Sequence, residues 1–360
     1  MSDNDNGMTY SDAGVVSLET EEAFSTLLHW VNKSMEGHDE VRAEVGLYAT
    51  VIEVAPNLGI AVTTDGVGTK LLVAEMMDKY DTVGIDCVAM NVNDLICVGA
   101  KPLAMLDYIA VENAQDPLLG EVGRGLYEGA RLSDISIPAG EVAQLKEMIK
   151  GVREGKGFDL VGTAIGSVEL DRMITGEGIC DGDAVVGVSS SGLHSNGYTL
   201  ARKVMVDKFG VDSHIEELGM TVGEALLEPT RIYVRPCLQV LREVPGVRAL
   251  VHITGEGFRN LRRVRSETGF VLDGLPELPP IFRVIQKEGK VSNAEMANTF
   301  NLGVGMCVVV DASKAEEVQK IFHGHGMEAF LLGRARPDKD RAIEIPALSV
   351  TGRKERFYEV

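Results

Sequence analysis

Apolar residues recur at two spacings along this chain, and the alternation between the spacings predicts strands and helices in both halves. Phe24, Leu27, Leu28, Val31 and Met35 fall at helical spacing, with Glu19, Glu21 and Glu22 near the start, where acids suit a helix dipole. Residues 45–54 and 59–64 read as strands, and 70–80 and 88–98 as helices. In the second of these helices Val88, Val92, Leu95 and Ile96 form the buried stripe, leaving Asn91 and Asp94 as neighbours on another face. Residues 103–111 predict a strand broken by Asp107, and 117–131 a helix whose Gly123, Gly125 and Gly129 suggest packing against a sheet. Strands at 160–170 and 184–189 flank the turn Asp181-Gly182-Asp183.

The second half alternates in the same way. Helices are predicted from Ser195 to about 209, over 230–244 with Pro236 kinking or splitting it, and over 258–265, 280–287 and 314–323. Strands are predicted over 249–254, 303–311 and 329–335. Residues 1–9 read as disordered and 147–157, charged and punctuated by glycine, as a mobile excursion. The fold class is α+β in two domains, 1–175 and 176–360, divided where glycines and acids cluster near 171–182.

Composition narrows the function. The chain has 360 residues, 45% hydrophobic and 25% charged, as in an ordinary globular protein. Its formal net charge of −19 argues against a nucleic-acid partner, which needs a dense basic field. Any anionic ligand must then be held by metal ions, local Lys or Arg, and backbone N–H groups. Five scattered cysteines, none in a C-x-x-C pair, fit neither zinc nor a disulfide framework. A polar N-terminus and short apolar runs give no sign of a signal peptide or membrane span, so a cytoplasmic protein is expected.

Candidate chemistry sits at glycine-rich turns. Asp65-Gly66-Val67-Gly68-Thr69-Lys70 follows an apolar strand; it is not a Walker A loop, because Thr precedes Lys. Asp65 offers oxygen to a hard cation and the glycines permit close backbone approach, although a plain Asp-Gly turn satisfies the same pattern. Asn91, Asn93 and Asp94 are poor helix formers placed within a helix, as a solvated face or as a site. Asp65 and Asp94 together match Mg²⁺, which takes one or two carboxylates beside nucleotide phosphates. Four serines, two glycines, His194 and Asn196 in Ser189–Gly197 lead into a helix, a pattern that suits a phosphate cradle or an ordinary capped turn. His194 there could donate to phosphate, act as an acid or cap the turn. The turn 252–257 repeats the strand–glycine–helix logic, and the arginines after it read mostly as a solvated face.

An ordered set of segments resembles the phosphoribosylformylglycinamidine cyclo-ligase family, the aminoimidazole ribonucleotide synthetases. They include Thr9-Tyr10-Ser11-Asp12-Ala13-Gly14-Val15, Asp65–Lys70, Asn93-Asp94-Leu95, Gly99-Ala100-Lys101-Pro102 and Leu106-Asp107-Tyr108. Ser191-Gly192-Leu193-His194-Ser195-Asn196-Gly197, residues 227–234, His252–Gly257 and residues 299–306 continue the series. The resemblance implies an N-terminal ATP-binding and dimerisation domain whose strands join a barrel across a homodimer, and a C-terminal α/β sandwich-like domain. It implies Mg²⁺, ATP as co-substrate, and ring closure of 2-formamido-N1-(5-phosphoribosyl)acetamidine, with no nucleic acid or membrane as partner. On the same footing Asp65 and Asp94 hold the metal, Lys70 contacts phosphate, and His194 acts beside them. Gly66, Gly68, Thr69, Asn91, Glu141, Ser191, Gly192, Ser195 and Asn196 are the implied nucleotide and phosphate contacts. A sister kinase or synthetase with another acceptor, and a non-catalytic dimeric binding protein, are the alternative readings.

Three positions depart from the family pattern. The stretch Ala139-Gly140-Glu141-Val142-Ala143-Gln144-Leu145-Lys146 keeps the acid of a Gly-Gly-Glu-Thr-Ala-Glu-Met-Pro-Gly motif but loses a hydroxyl, a second acid and the terminal turn. Ser11 stands where Lys is usual, and Glu256 interrupts a run of glycines.

Overall fold

The computed structural model describes residues 7–9, 18–42, 47–354 and 356–360. Ser11 and most of the Thr9–Val15 segment lie outside the described residues. The first half contains α1 (Leu18–Lys33), β1 (Thr50–Ala55), β2 (Leu58–Gly66), α2 (Lys70–Met77) and α3 (Val83–Cys97). After them come β3 (Lys101–Val111), α4 (Leu118–Ser133), β4 (Ser136–Gln144) and β5 (Phe158–Glu169). The strands form a five-stranded sheet in the order β1-β2-β5-β3-β4.

The second half begins with β6 (Ala184–Ser189), α5 (Tyr198–Phe209), the short pair β7 (His214–Ile215) and β8 (Met220–Thr221), and α6 (Val222–Leu227). It continues through α7 (Val234–Glu243), β9 (Val247–His252), β10 (Thr268–Val271), α8 (Pro280–Gly289), α9 (Asn293–Thr299) and β11 (Val304–Val310). α10 (Ala315–Gly324), β12 (Ala329–Pro337), β13 (Ile343–Ile345), β14 (Val350–Arg353) and β15 (Arg356–Glu359) complete it. An eight-stranded sheet runs β15-β14-β13-β10-β12-β6-β11-β9, with the wholly buried β11 near one end. The fold is therefore mixed α+β, built on two separate sheets.

Several local expectations change for physical reasons. α3 is buried on nearly every side, Asn91 and Asn93 included, so no solvated face exists there. Two glycines of α4 face α3 and not a sheet: a Cβ at Gly125 would lie 3.1 Å from Gly84 Cα, and one at Gly129 2.8 Å from Val88 Cβ. Gly123 faces open space. α7 begins at Val234, which puts Pro236 in its first turn, where an N–H has no helical acceptor and no kink is needed. In place of the α-helix expected over 258–265 there is a 3₁₀ segment, Gly257–Arg263. The 147–157 excursion is fastened: the Val152 N–H donates to Glu75 at 2.8 Å, and the Gly155 N–H to Glu112 at 2.9 Å.

Strand register assigns the two faces of the first sheet. Asp65 pairs with Gly162, Gly162 with Asp107, and Asp107 with Gly140, so these four share one row and one face. A Cβ at Gly162 would meet Asn91 at 2.8 Å, which makes this the face covered by α3. The next row, Gly66, Val161, Tyr108 and Glu141, points the other way. That outer face also carries Ile52, Ile60, Val62, Ile165 and Leu106, and Leu106 and Tyr108 are exposed on it.

Candidate active site

Asp65 lies near the end of β2 beside two side chains of α3. The Asn91 amide donates to the Asp65 carbonyl at 3.1 Å and to Cys87 at 2.9 Å, while its Oδ1 is buried without a partner. Burial, and then the neighbouring Asp94 charge, push the Asp65 carboxyl up to about 6. The Gly66 N–H, donating to Asp65 Oδ1 at 2.8 Å, pulls the other way, as do His252 and Arg263. The carboxylates of β2 and α3 thus feel each other's charge. Arg263 reaches the same region from the second half, stacked 4.8 Å over the Tyr48 ring and paired with Glu256 at 3.3 Å.

Lys70 has a different place from the one expected. Its ammonium is completely buried and donates to Asp86 at 2.9 Å, to the His194 carbonyl at 3.2 Å and to the Glu228 carbonyl at 2.6 Å. An ammonium has three donors, so the expectation of a phosphate contact is corrected: Lys70 fastens α2 to two loops of the second half. Burial pushes Lys70 down and Asp86 up, and their mutual attraction pulls each back. Asp86 also accepts from the Thr230 N–H at 2.7 Å and hydroxyl at 2.6 Å. In the turn before α2, Gly68 has φ +72°, a left-handed conformation that glycine adopts without strain, and Thr69 precedes the helix without capping it.

The Ser189–Gly197 loop is anchored from several sides. Ser191 Oγ donates to the Pro229 carbonyl at 2.6 Å, and Ser195 Oγ lies 3.1 Å from Thr230 Oγ1. The Gly192 carbonyl accepts from Ser190 Oγ at 3.0 Å and Asn301 Nδ2 at 2.9 Å. These contacts tie the serine side chains to protein, and the N–H groups of Ser189 and Ser190 donate to the Glu328 and Gly303 carbonyls. His194 Nε2 accepts the Ser191 N–H at 3.3 Å, and both His194 Nδ1 and Asn196 Nδ2 are buried without a partner. Burial, then His252, Lys70 and Arg231, hold His194 well below the usual imidazole range. It is therefore neutral at physiological pH, a donor or acceptor and not a charged acid. Gly305 makes room for it: a Cβ there would lie 2.4 Å from His194 Cε1 and 2.1 Å from the Tyr233 hydroxyl.

Glu141 does not join this assembly. It is exposed on the edge strand β4 and on the outer face, opposite Asp65. Two residues in the neighbourhood were not selected as candidates by sequence. His252 ends β9 and places Nδ1 2.8 Å from Asp94 Oδ1. Asp107 shares the Asp65 row and is raised by burial; its signal was the acid breaking an apolar strand. Among the described residues no group of three or more His, Cys, Asp and Glu side chains is gathered to hold a metal. A carboxylate pair with an orphaned amide oxygen fits instead a hard ion that completes its shell with phosphate oxygens. Among the described residues no helix is long and apolar enough to cross a membrane.

Comparison with known proteins agrees with the two-sheet division. The N-terminal domain of AIR synthase related protein matches residues 46–168, and the C-terminal domain matches 181–345. A phosphoribosylformylglycinamidine cyclo-ligase of Pyrococcus furiosus is 45% identical over 329 residues, 91% of this chain and 94% of that protein. The enzyme of that name from Methanocaldococcus jannaschii is 43% identical over 350 residues, 96% of this chain and 95% of its own. Among solved structures, AaThiL complexed with AMPPCP and TMP superposes with a TM-score of 0.62 at 13% identity, covering 95% of this chain and 99% of that one. Thiamine-monophosphate kinase from Stenotrophomonas maltophilia K279a gives 0.59 at 16% identity, covering 89% and 95%. At those identities the structural likeness speaks for the fold alone. Sequence identity held over nearly the whole length carries the further conclusion: the chain belongs to the AIR synthase family, among the phosphoribosylformylglycinamidine cyclo-ligases.

Proposed function

We propose that this protein closes the imidazole ring of 5-aminoimidazole ribonucleotide in purine biosynthesis, from 2-formamido-N1-(5-phosphoribosyl)acetamidine and ATP. The γ-phosphoryl group passes from ATP to the formyl oxygen, and ADP leaves. The carbon, now bearing a phosphate leaving group, is attacked by the amidine nitrogen of the same molecule. Phosphate departs with the electrons of the C–O bond, the nitrogen loses a proton, and the ring is closed. Positioning and charge compensation carry such a reaction, so the protein needs no covalent nucleophile.

The observation that supports this reading is the Asn91 side chain of α3 bonded to the Asp65 carbonyl with its Oδ1 left unpartnered, and Asp94 one turn further along the same helix. Mg²⁺ held there would neutralise polyphosphate charge in a strongly acidic protein. Gly66, Gly68 and Thr69 form the turn leaving β2, next to the carboxylates. His194 Nδ1 and Asn196 Nδ2 offer donors to a ligand oxygen, within a loop that Ser191, Gly192 and Ser195 hold in shape. Residues 1–175 would bind ATP and dimerise, with 176–360 completing the site. The apolar outer face of the first sheet supports a homodimer closed through that face, because a sheet face open to water ordinarily carries polar side chains.

The test is direct. Purified protein with Mg²⁺, ATP and the formamidine substrate should yield one ADP per aminoimidazole formed, and no turnover in EDTA. Failure to form the ring under saturating substrates would reject this reaction.

A further inference from the structure

We propose that His252 is the positioning residue for Asp94: it fixes the orientation of a cation-binding carboxylate from across the junction of the two sheets. The inference rests on the reading of Asp65 and Asp94 as the metal site. Asp94 belongs to α3 of the first half, whereas His252 ends β9 of the second. The imidazole Nδ1 donates to Asp94 Oδ1 at 2.8 Å, since an ionised carboxylate can only accept. On the other side of the ring, Nε2 lies 3.5 Å from Asn93 Nδ2, an amide donor. The two neighbours together assign the neutral Nδ1–H tautomer.

The ring has little freedom to turn away. His252 is fully buried, its backbone carbonyl accepts the Tyr48 hydroxyl at 2.8 Å, and its strand pairs with β11 at Met306. Asn93 is itself held, donating to the Arg231 carbonyl at 2.9 Å and accepting the Tyr233 N–H at 2.9 Å. A rigid β-strand of one half thus dictates the rotamer of a carboxylate on a helix of the other. Partners of this outer kind tune metal affinity by about 10- to 100-fold where they have been removed. Docking of the halves and cation binding are coupled as a result.

His252→Asn and His252→Gln distinguish positioning from bulk. Asn places its amide nitrogen near the position of Nδ1 and can still donate to Asp94; Gln reaches toward the Nε2 side and leaves Asp94 without its donor. Mn²⁺ binding, followed by electron paramagnetic resonance in the presence of AMPPCP, reads the site without turnover. Asn should bind Mn²⁺ within about threefold of wild type and Gln at least about tenfold more weakly. Equal affinity in the two variants, strong or weak, would overturn the proposal. Absence of Mn²⁺ binding in the wild type would instead reject the metal site on which it rests.

Discussion

At the scale of single residues, two pairs of charges are set in opposite ways, the buried Lys70 and Asp86 attracting and the partly buried Asp65 and Asp94 repelling. Lys70 and Asp86 neutralise each other with every ammonium donor used. Asp65 and Asp94 share a region with the same sign, a poor arrangement for stability and a good one for a cation. The folded-state value of Asp65, about 6 against an ordinary 3.8, means that its ionisation opposes folding. That penalty is absent below the unfolded value and grows to its full size as pH rises past the folded one. Asp65→Asn should therefore stabilise the metal-free protein at pH 8 by on the order of 2 kcal/mol, with the gain vanishing below about pH 4. Urea titrations at the two pH values measure this. Lys70→Met should do the opposite, costing about 3–5 kcal/mol by leaving Asp86 buried and uncompensated. Adding Asp86→Asn should restore part of that loss, as denaturation of single and double variants would show. Asp65 and Asp94 were singled out by sequence because one opens a glycine turn and the other interrupts an apolar helix. The role of Lys70 was not legible, since two of its three acceptors are carbonyls of residues far along the chain.

At the scale of elements, β2 and α3 carry the carboxylates, while the loop before α5 takes its shape from its neighbours. Seven consecutive buried residues of β11 were plain from their apolar run, as was β6. β4 and the terminal hairpin β14–β15 were not, because mostly exposed edge strands and short strands lack clear alternation. The largest misreading was α3. Its periodicity indicated one apolar stripe, yet α4 covers it from the other side through Gly125 and Gly129, and no local pattern announces that second cover. Close approach also explains Gly305, which admits both the His194 ring and the Tyr233 hydroxyl. Gly305→Ala should cost about 1–3 kcal/mol and displace His194. Chemical denaturation would register the first effect and a crystal structure of the variant the second.

At the scale of the whole molecule, a net charge of −19 and an anionic pair of substrates coexist only if binding is local. On the proposed reading, donors at Asn196, His194 and the glycine turns, with a cation at the carboxylates, would provide that locality. Which sheet row faces which side was beyond the sequence, because a one-residue change of register exchanges the faces. Register places Glu141 with Leu106 and Tyr108 on the outer face, away from Asp65. Leu106→Asp should therefore weaken self-association while leaving the fold intact. Sedimentation would show the wild type at twice the chain mass and the variant shifted toward the monomer, with unchanged circular dichroism; a monomeric wild type would exclude the dimer.

The central claim is that carboxylates from β2 and α3 hold a divalent ion on polyphosphate. Anomalous diffraction at the manganese edge, from crystals grown with Mn²⁺ and AMPPCP, tests it most directly. A manganese peak bonded to oxygens of Asp65 and Asp94 and to the analogue's phosphates is the predicted result. Nucleotide and metal bound away from both carboxylates would contradict it.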